Sequence, residues 1–305
     1  MTARANVWFL SDYGTADECV GVVRAVIRAF APEATVMDLT HQVHPYDVRG
    51  ASLTLARSVQ YLGAAVVLAV VDPGVGSARR AIAVEAGGAG EVGGVVESSS
   101  VEADRNSVFF VGPDNGLLAP AVAMVGGARR AVELNNRLHH LEAPGPTFAG
   151  RDIFAPVVAR LCLGHDLDDL GERIDPLSLL PGLMPLADVG PDRIVAEVLW
   201  TDRFGNLQLN LDPGDLPGTW AGPGHPLTGD PLVVRTAAGT RSAARVRTYG
   251  DLQAGQVGVL IDSYGLVTLV CNRRSAATEL ALGAGDQVTF DLLHSPEPTS
   301  AGSSS

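Results

Sequence analysis

Residues 65–71, Ala-Val-Val-Leu-Ala-Val-Val, are apolar without interruption, and Asp72-Pro73-Gly74 closes the run. A strand with one wet face alternates polar and apolar residues. A short, β-branched run with no polar position reads instead as a strand buried on both faces, the environment of a parallel sheet between layers of helices. The flanking sequence agrees. Strand signals at 7–10, 35–39, 82–84 and 108–111 alternate with helical periodicity at 19–30, 47–61 and 152–163. This alternation predicts an α/β N-terminal domain over residues 1–186, its sheet mostly parallel and covered by helices. Residues 86–107 are rich in Gly, Ser and Glu and carry neither period, so they read as a flexible insertion.

Four prolines between 175 and 191 mark a linker. Beyond it, apolar runs at 194–200, 207–209, 232–234, 257–261, 267–270 and 287–290 are separated by turns, and helix signals are scarce. Residues 192–293 therefore predict a smaller all-β C-terminal domain, sandwich or barrel. The Pro/Ser-rich end, 294–305, is expected to be disordered.

Charge and cysteine content narrow the function. The net charge is −12 and no Lys/Arg stripe occurs, which disfavours nucleic acid and suits a small cationic ligand. Three cysteines, Cys19, Cys162 and Cys271, lie far apart and form no C-x-x-C pair, as expected in a reducing compartment. The N-terminus lacks a signal-peptide core and no apolar run reaches about 18 residues, so a cytoplasmic protein without a membrane span is expected.

In a parallel α/β sheet, ligands sit beyond the carboxyl ends of strands. Polar groups recur there. Ser11-Asp12-Tyr13-Gly14 follows the first strand, and Asp17 opens the next helix. A carboxylate at Asp12 suits a ribose diol. Asp17 suits either an ammonium or the positive end of the helix dipole. After the third strand, Asp72-Pro73-Gly74-Val75-Gly76 supplies a carboxylate and a tight turn, with Arg79 seven residues on. This is either a pocket rim or a capped turn with a surface Arg; it lacks the Gly-Lys-Ser/Thr ending of a phosphate loop. Asp152 is placed to cap the helix that follows it. His41 and His44, like His139 and His140, have no third ligand nearby and make a poor metal site. No G-x-S-x-G elbow marks a serine hydrolase.

Seven motifs in order carry a family resemblance. They are Ser11-Asp12-Tyr13-Gly14 with Asp17, Asp38-Leu39-Thr40-His41, Pro45-Tyr46-Asp47-Val48, Val71 to Gly76, Val111 to Leu118, Thr147-Phe148-Ala149-Gly150-Arg151-Asp152, and Phe204-Gly205-Asn206. From about residue 6 to about residue 290 the chain resembles the S-adenosyl-L-methionine (SAM) hydroxide adenosyltransferases, relatives of the fluorinase and chlorinase enzymes. The resemblance implies hydrolysis of SAM to adenosine and L-methionine, in a homotrimer whose sites lie between neighbouring subunits. No cofactor is implied, since SAM is the substrate. It places Asp12 on the ribose, Asp17 on the methionine ammonium and Tyr46 beside the ligand. Thr147 and Phe148 line the site, Phe204 and Asn206 meet adenine, Tyr249 stacks on it, and the turn holding Asn272 and Ser275 adds backbone contacts.

The resemblance also implies a water-handling Asp-Arg-His group. Asp72 and Arg79 match its first two members, but Ala149 stands where the family carries His, beside Gly150. The chain is accordingly expected to bind SAM and turn it over slowly or not at all. A non-catalytic SAM binder is the alternative. A halogenase is a weaker one, because a carboxylate at Asp72 repels an anion.

Overall fold

The computed structural model of the protein describes residues 6–87, 107–182, 185–216 and 231–292. Most of the expected insertion and all of the expected disordered tail lie outside the described residues. The chain divides into two compact units, Met1–Leu183 and Met184–Ser305.

The first unit contains β1 (Asn6–Ser11), α1 (Cys19–Phe30), β2 (Thr35–Thr40), α2 (Val48–Val59), β3 (Val66–Val70), β4 (Ala81–Ala86), β5 (Val108–Pro113), α3 (Ala119–Met124), β6 (Ala128–Glu133), α4 (Ala155–Cys162) and β7 (Glu172–Ile174). Its seven-stranded sheet has the order β2-β1-β3-β5-β4-β6-β7. All five residues of β3 are buried. Val66, Leu68 and Val70 join a core with Val23 and Ile27 of α1 and Val157 and Leu161 of α4. Val67 and Ala69 join a second core with Leu55 and Val59 of α2 and Ala121 of α3. Each Val or Leu so sealed contributes about 1.5–3 kcal/mol of burial. The apolar run thus lies between two helical layers, and its carboxyl end is held rigidly.

The sheet is mixed, which corrects the expectation of a mostly parallel one. The pairs β1–β2, β1–β3 and β3–β5 are parallel, whereas β4–β5, β4–β6 and β6–β7 are antiparallel. The cause is local. Only residues 71–80, with no helix among them, join β3 to β4, and a parallel return needs a crossover of about a dozen residues or more.

The helix expected at 152–163 begins differently. Gly150–Phe154 form a π-helical turn that runs into α4. Pro156 has no N–H to give to the Asp152 carbonyl, and that carbonyl accepts the Leu141 N–H instead, at 2.8 Å. The Asp152 side chain does not cap the helix. It takes Arg151, with Nε 2.5 Å from Oδ1.

The second unit contains β8 (Asp188–Val189), β9 (Arg193–Thr201), β10 (Leu207–Leu209), β11 (Leu232–Thr236), β12 (Gly239–Arg245), β13 (Val257–Ile261), β14 (Val267–Cys271), α5 (Ala276–Leu280) and β15 (Gln287–Asp291). The strand order is β10-β14-β13-β12-β11-β15-β9-β8, and an additional β9–β10 pairing closes the sheet into a barrel. Val198, Leu207, Val234, Val259, Leu269 and Phe290 fill it.

Candidate active site

In the first unit, Asp12 and Tyr13 after β1, Tyr46 from the β2–α2 loop, Asp72 after β3, and Thr147, Ala149 and Gly150 ahead of α4 line one cavity of about 230 Å³. Arg79 grips Asp72 from behind. Its Nε lies 2.9 Å from Oδ1 and 3.0 Å from Oδ2, and Nη2 bonds Oδ2 as well. Both side chains are largely buried. A two-toothed guanidinium–carboxylate contact fixes orientation as well as charge. The Arg79 guanidinium in turn lies 5.5 Å from the centroid of the Phe154 ring, in the π turn. The strand end itself is tethered, because Asn115 Nδ2 donates to the Val71 carbonyl at 2.9 Å. Gly76 has φ +77°, and a Cβ there would lie 2.9 Å from the Pro146 carbonyl oxygen. A glycine at this point lets the Asp72 loop press against the segment that carries Thr147.

Asp12 is anchored through one oxygen, since Oδ2 accepts the Tyr46 N–H at 2.9 Å. Tyr46 has φ +68° and is 73% exposed. A bulky residue in this conformation costs on the order of 1–3 kcal/mol, so the Asp12 bond holds the aromatic out over the cavity mouth. Behind Asp12 runs a polar chain that is buried at Ser11 and His41 and reaches the surface at Asp38 and Arg24. Ser11 Oγ and His41 Nδ1 lie 2.7 Å apart, His41 Nε2 lies 3.0 Å from Asp38 Oδ1, and Arg24 pairs with Asp38. Burial alone would raise the Asp38 pKa, but the hydrogen bonds from Arg24 and His41 outweigh it and hold the carboxyl below its ordinary value. Ser11 and His41 are buried, and the imidazole stands between the Ser11 hydroxyl and the Asp38 carboxylate. This Ser-His-Asp arrangement therefore braces the loop after β1 and presents no nucleophile to solvent.

The barrel carries its own cavity of about 490 Å³, lined in part by Trp200, Asp202, Asn206, Tyr249, Asp262 and Tyr264. Asp202 organises one wall. Its Oδ1 accepts the N–H groups of Phe204 and Asn206, both at 2.8 Å, and Oδ2 accepts Asn206 Nδ2 at 2.7 Å. Burial, then the carboxylates of Asp202 and Asp262, push the Tyr249 phenol above its ordinary value.

The SAM hydroxide adenosyltransferase N-terminal domain matches residues 7–171 and its C-terminal domain matches residues 196–289. The chain belongs to the SAM hydroxide adenosyltransferase family. An (R)-S-adenosyl-L-methionine hydrolase of Salinispora tropica is 42% identical over 92% of this chain and 95% of its own length. A crystal structure of an uncharacterized conserved protein from Thermotoga maritima is 32% identical with a TM-score of 0.76, covering 93% of this chain and 99% of that one. A fluorinase of Actinoplanes sp. is more distant, at 26% identity over 95% of this chain and 99% of its own length.

Not every position expected from the SAM hydroxide adenosyltransferases lies on a cavity. Asp12, Tyr46, Asp72, Thr147, Ala149 and Gly150 share the first one, and Asn206 and Tyr249 share the second. Asp17 is exposed ahead of α1 and lies off the cavity wall. Phe148 packs edge-on against Tyr13, with centroids 5.8 Å apart, and against Arg151. Phe204 projects into solvent, 78% exposed. The Asn272 side chain donates to the Leu252 carbonyl at 2.6 Å, and Ser275 caps α5 by accepting the Thr278 N–H at 3.0 Å. Tyr13, Asp202 and Asp262 went unread as site residues. Asp202 carried a usable signal, since an Asp two residues before Phe204 and four before Asn206 forms a turn that fixes both.

Proposed function

We propose that this chain hydrolyses SAM, water displacing L-methionine from the 5′ carbon to leave adenosine. The observation that carries the reading is the convergence of the Arg79-gripped Asp72 with Asp12 and Tyr46 on one cavity, in a member of a family whose Salinispora tropica relative is named as such a hydrolase. The sulfonium is already a good leaving group, so the chain has to bind, orient and exclude bulk water. Attack requires the water oxygen in line with the C5′–S bond, about 3–3.5 Å from C5′. As the O–C5′ bond forms, the C5′–S pair passes to sulfur, which becomes the neutral thioether of methionine. One water proton passes to Asp72 and on to solvent. Asp12 takes the ribose hydroxyls through the oxygen that does not hold Tyr46.

The site is completed by a second subunit. A cavity of about 230 Å³ falls below the roughly 300–1,000 Å³ of a ligand site. We assign the remaining wall to the barrel of a neighbour in a homotrimer, where Asn206 and Tyr249 meet adenine beside the exposed Phe204. The chain works in the cytoplasm and uses no cofactor. Ala149 favours a second reading, a SAM-binding protein without turnover, because no imidazole stands beside Asp72.

Incubation with SAM in ¹⁸O-water decides between them. Attack at C5′ gives adenosine carrying one ¹⁸O atom at its 5′ hydroxyl, and methionine without label. Tight calorimetric binding with no adenosine selects the second reading, and absence of both overturns the two together. Added chloride should yield no chlorodeoxyadenosine.

A further inference from the structure

The wall formed by Ala149 and Gly150 has no polar side chain of its own, and Tyr13 covers it. A Cβ at Gly150 would stand 2.3 Å from the Tyr13 hydroxyl oxygen and 3.2 Å from Cζ, so the phenol occupies the space that glycine vacates. The ring is held edge-on between Phe9, with centroids 6.4 Å apart, and Phe148, at 5.8 Å. Tyr13 lines the same cavity as Asp12, Asp72 and Ala149. Among the described residues no protein group hydrogen-bonds its hydroxyl; the hydrogen bond of this residue runs from its backbone N–H to Ser11 Oγ. A largely buried phenol with no protein partner leaves one donor and one acceptor for something in the cavity. Burial, then the neighbouring Cys19 thiol and the carboxylates of Asp12 and Asp72, push its pKa well above the ordinary tyrosine value. The group is therefore neutral at physiological pH and does not act as a base.

We propose that the Tyr13 hydroxyl is the second anchor of the attacking water, with Asp72 the first, doing in this chain the orienting work of the imidazole that Ala149 lacks. This rests on the hydrolase reading above. Two hydrogen-bonding anchors aim one lone pair of the water at C5′. Tyr13 keeps its proton throughout, and the proton released as the O–C5′ bond forms goes to Asp72. A chain with alanine at 149 thereby retains turnover.

Tyr13→Phe removes one oxygen and keeps the ring between Phe9 and Phe148. With SAM as substrate, kcat should fall by about tenfold to a hundredfold, at or just below the lower end of what positioned proton-handling groups supply. KM and the melting temperature should stay near those of the unaltered chain. An unchanged kcat, or a loss confined to KM, overturns the role of Tyr13 while leaving the hydrolase reading intact. An unaltered chain that forms no adenosine overturns the hydrolase reading and the Tyr13 role with it. Should Tyr13→Phe fail to fold, Gly150→Ala, which pushes the hydroxyl aside, must lower kcat by a similar factor, and normal turnover in that variant counts against the proposal.

Discussion

Arg79 meets Asp72 through a two-toothed contact, with Nε 2.9 and 3.0 Å from the two carboxylate oxygens, at a position where both side chains are largely withdrawn from water. Removing one member leaves the other as an uncompensated buried charge. Arg79→Ala should therefore cost about 3 kcal/mol of stability, at the lower edge for a broken buried pair. Asp72→Asn keeps a hydrogen-bond acceptor and should cost less than that, yet abolish turnover. Denaturant melts alongside adenosine release test this. An Arg79→Ala variant as stable as the unaltered chain would contradict the pairing argument.

Gly150 and Tyr13 should be energetically coupled. A methyl at 150 meets the phenol hydroxyl at 2.3 Å, and overpacking of this kind costs about 1–3 kcal/mol. With Tyr13→Phe in place the closest contact disappears, although Cζ at 3.2 Å remains. A double-mutant cycle of Gly150→Ala with Tyr13→Phe should give a stability coupling above about 0.5 kcal/mol. Strict additivity would show that the two side chains do not compete for the same space.

Ala149→His should raise kcat and leave the affinity for SAM within about threefold, because the position lines the cavity beside Asp72 and an acid–base group adds roughly 10²-fold or more. The gain should be larger on a Tyr13→Phe background than on the unaltered chain, since the imidazole and the phenol serve the same water. Steady-state kinetics on the four combinations would show it, and a histidine without effect on either background would misplace the wall.

The Asp38 brace predicts an acid limb of stability. The folded-state pKa of Asp38 is lowered, burial being outweighed by Arg24 and His41. Its contribution is then fully present above the unfolded carboxylate value of about 4 and is lost as pH falls through the folded value. Asp38 is about a third exposed, so screening limits the effect to less than about 1 kcal/mol. Thermal melts between pH 5 and pH 3 should decline more gently for Asp38→Asn than for the unaltered chain. Parallel declines would assign the acid limb to other carboxylates.

In the barrel, Asp202→Ala frees the Phe204–Asn206 turn by deleting three hydrogen bonds. Binding of SAM, followed by calorimetry, should weaken about tenfold or more, with the barrel still folded by circular dichroism. Unaltered affinity would separate this turn from the ligand.

What the amino-acid order made readable was whatever follows from burial. The uniform apolarity of 65–71 announced a strand sealed on both faces, whereas position left Asp72 at its end open between a pocket rim and a capped turn, and the family resemblance alone gave it a role. Strand direction was harder: residues 71–80 are too few for a parallel crossover, but the alternation of strand and helix signals elsewhere in the domain masked that shortness. β12 was missed since most of its residues are exposed and lack apolar alternation; the ladder to β11 defines it. Tyr13 stands in the Ser11–Gly14 motif with no role of its own, and its hydroxyl becomes notable only once Gly150, remote in sequence, is found beneath it. Asn272 and Ser275 came from the resemblance, which assigns their turn backbone contacts, and their side chains serve the Leu252 carbonyl and the Thr278 N–H.

The π turn at Gly150–Phe154 sets the aim of the wall it begins. Such a turn holds one residue more than ordinary helical winding, so excising a single residue there would restore regular pitch and rotate everything upstream by about 100° about the helix axis. α4 would keep its seat on the sheet while Ala149 and Gly150 swung away from Asp72. A one-residue deletion in this turn would dismantle the reaction chamber and draw Phe148 and Ala149 out of the core they pack in, whereas substitutions at 149 alter its chemistry and leave its direction untouched.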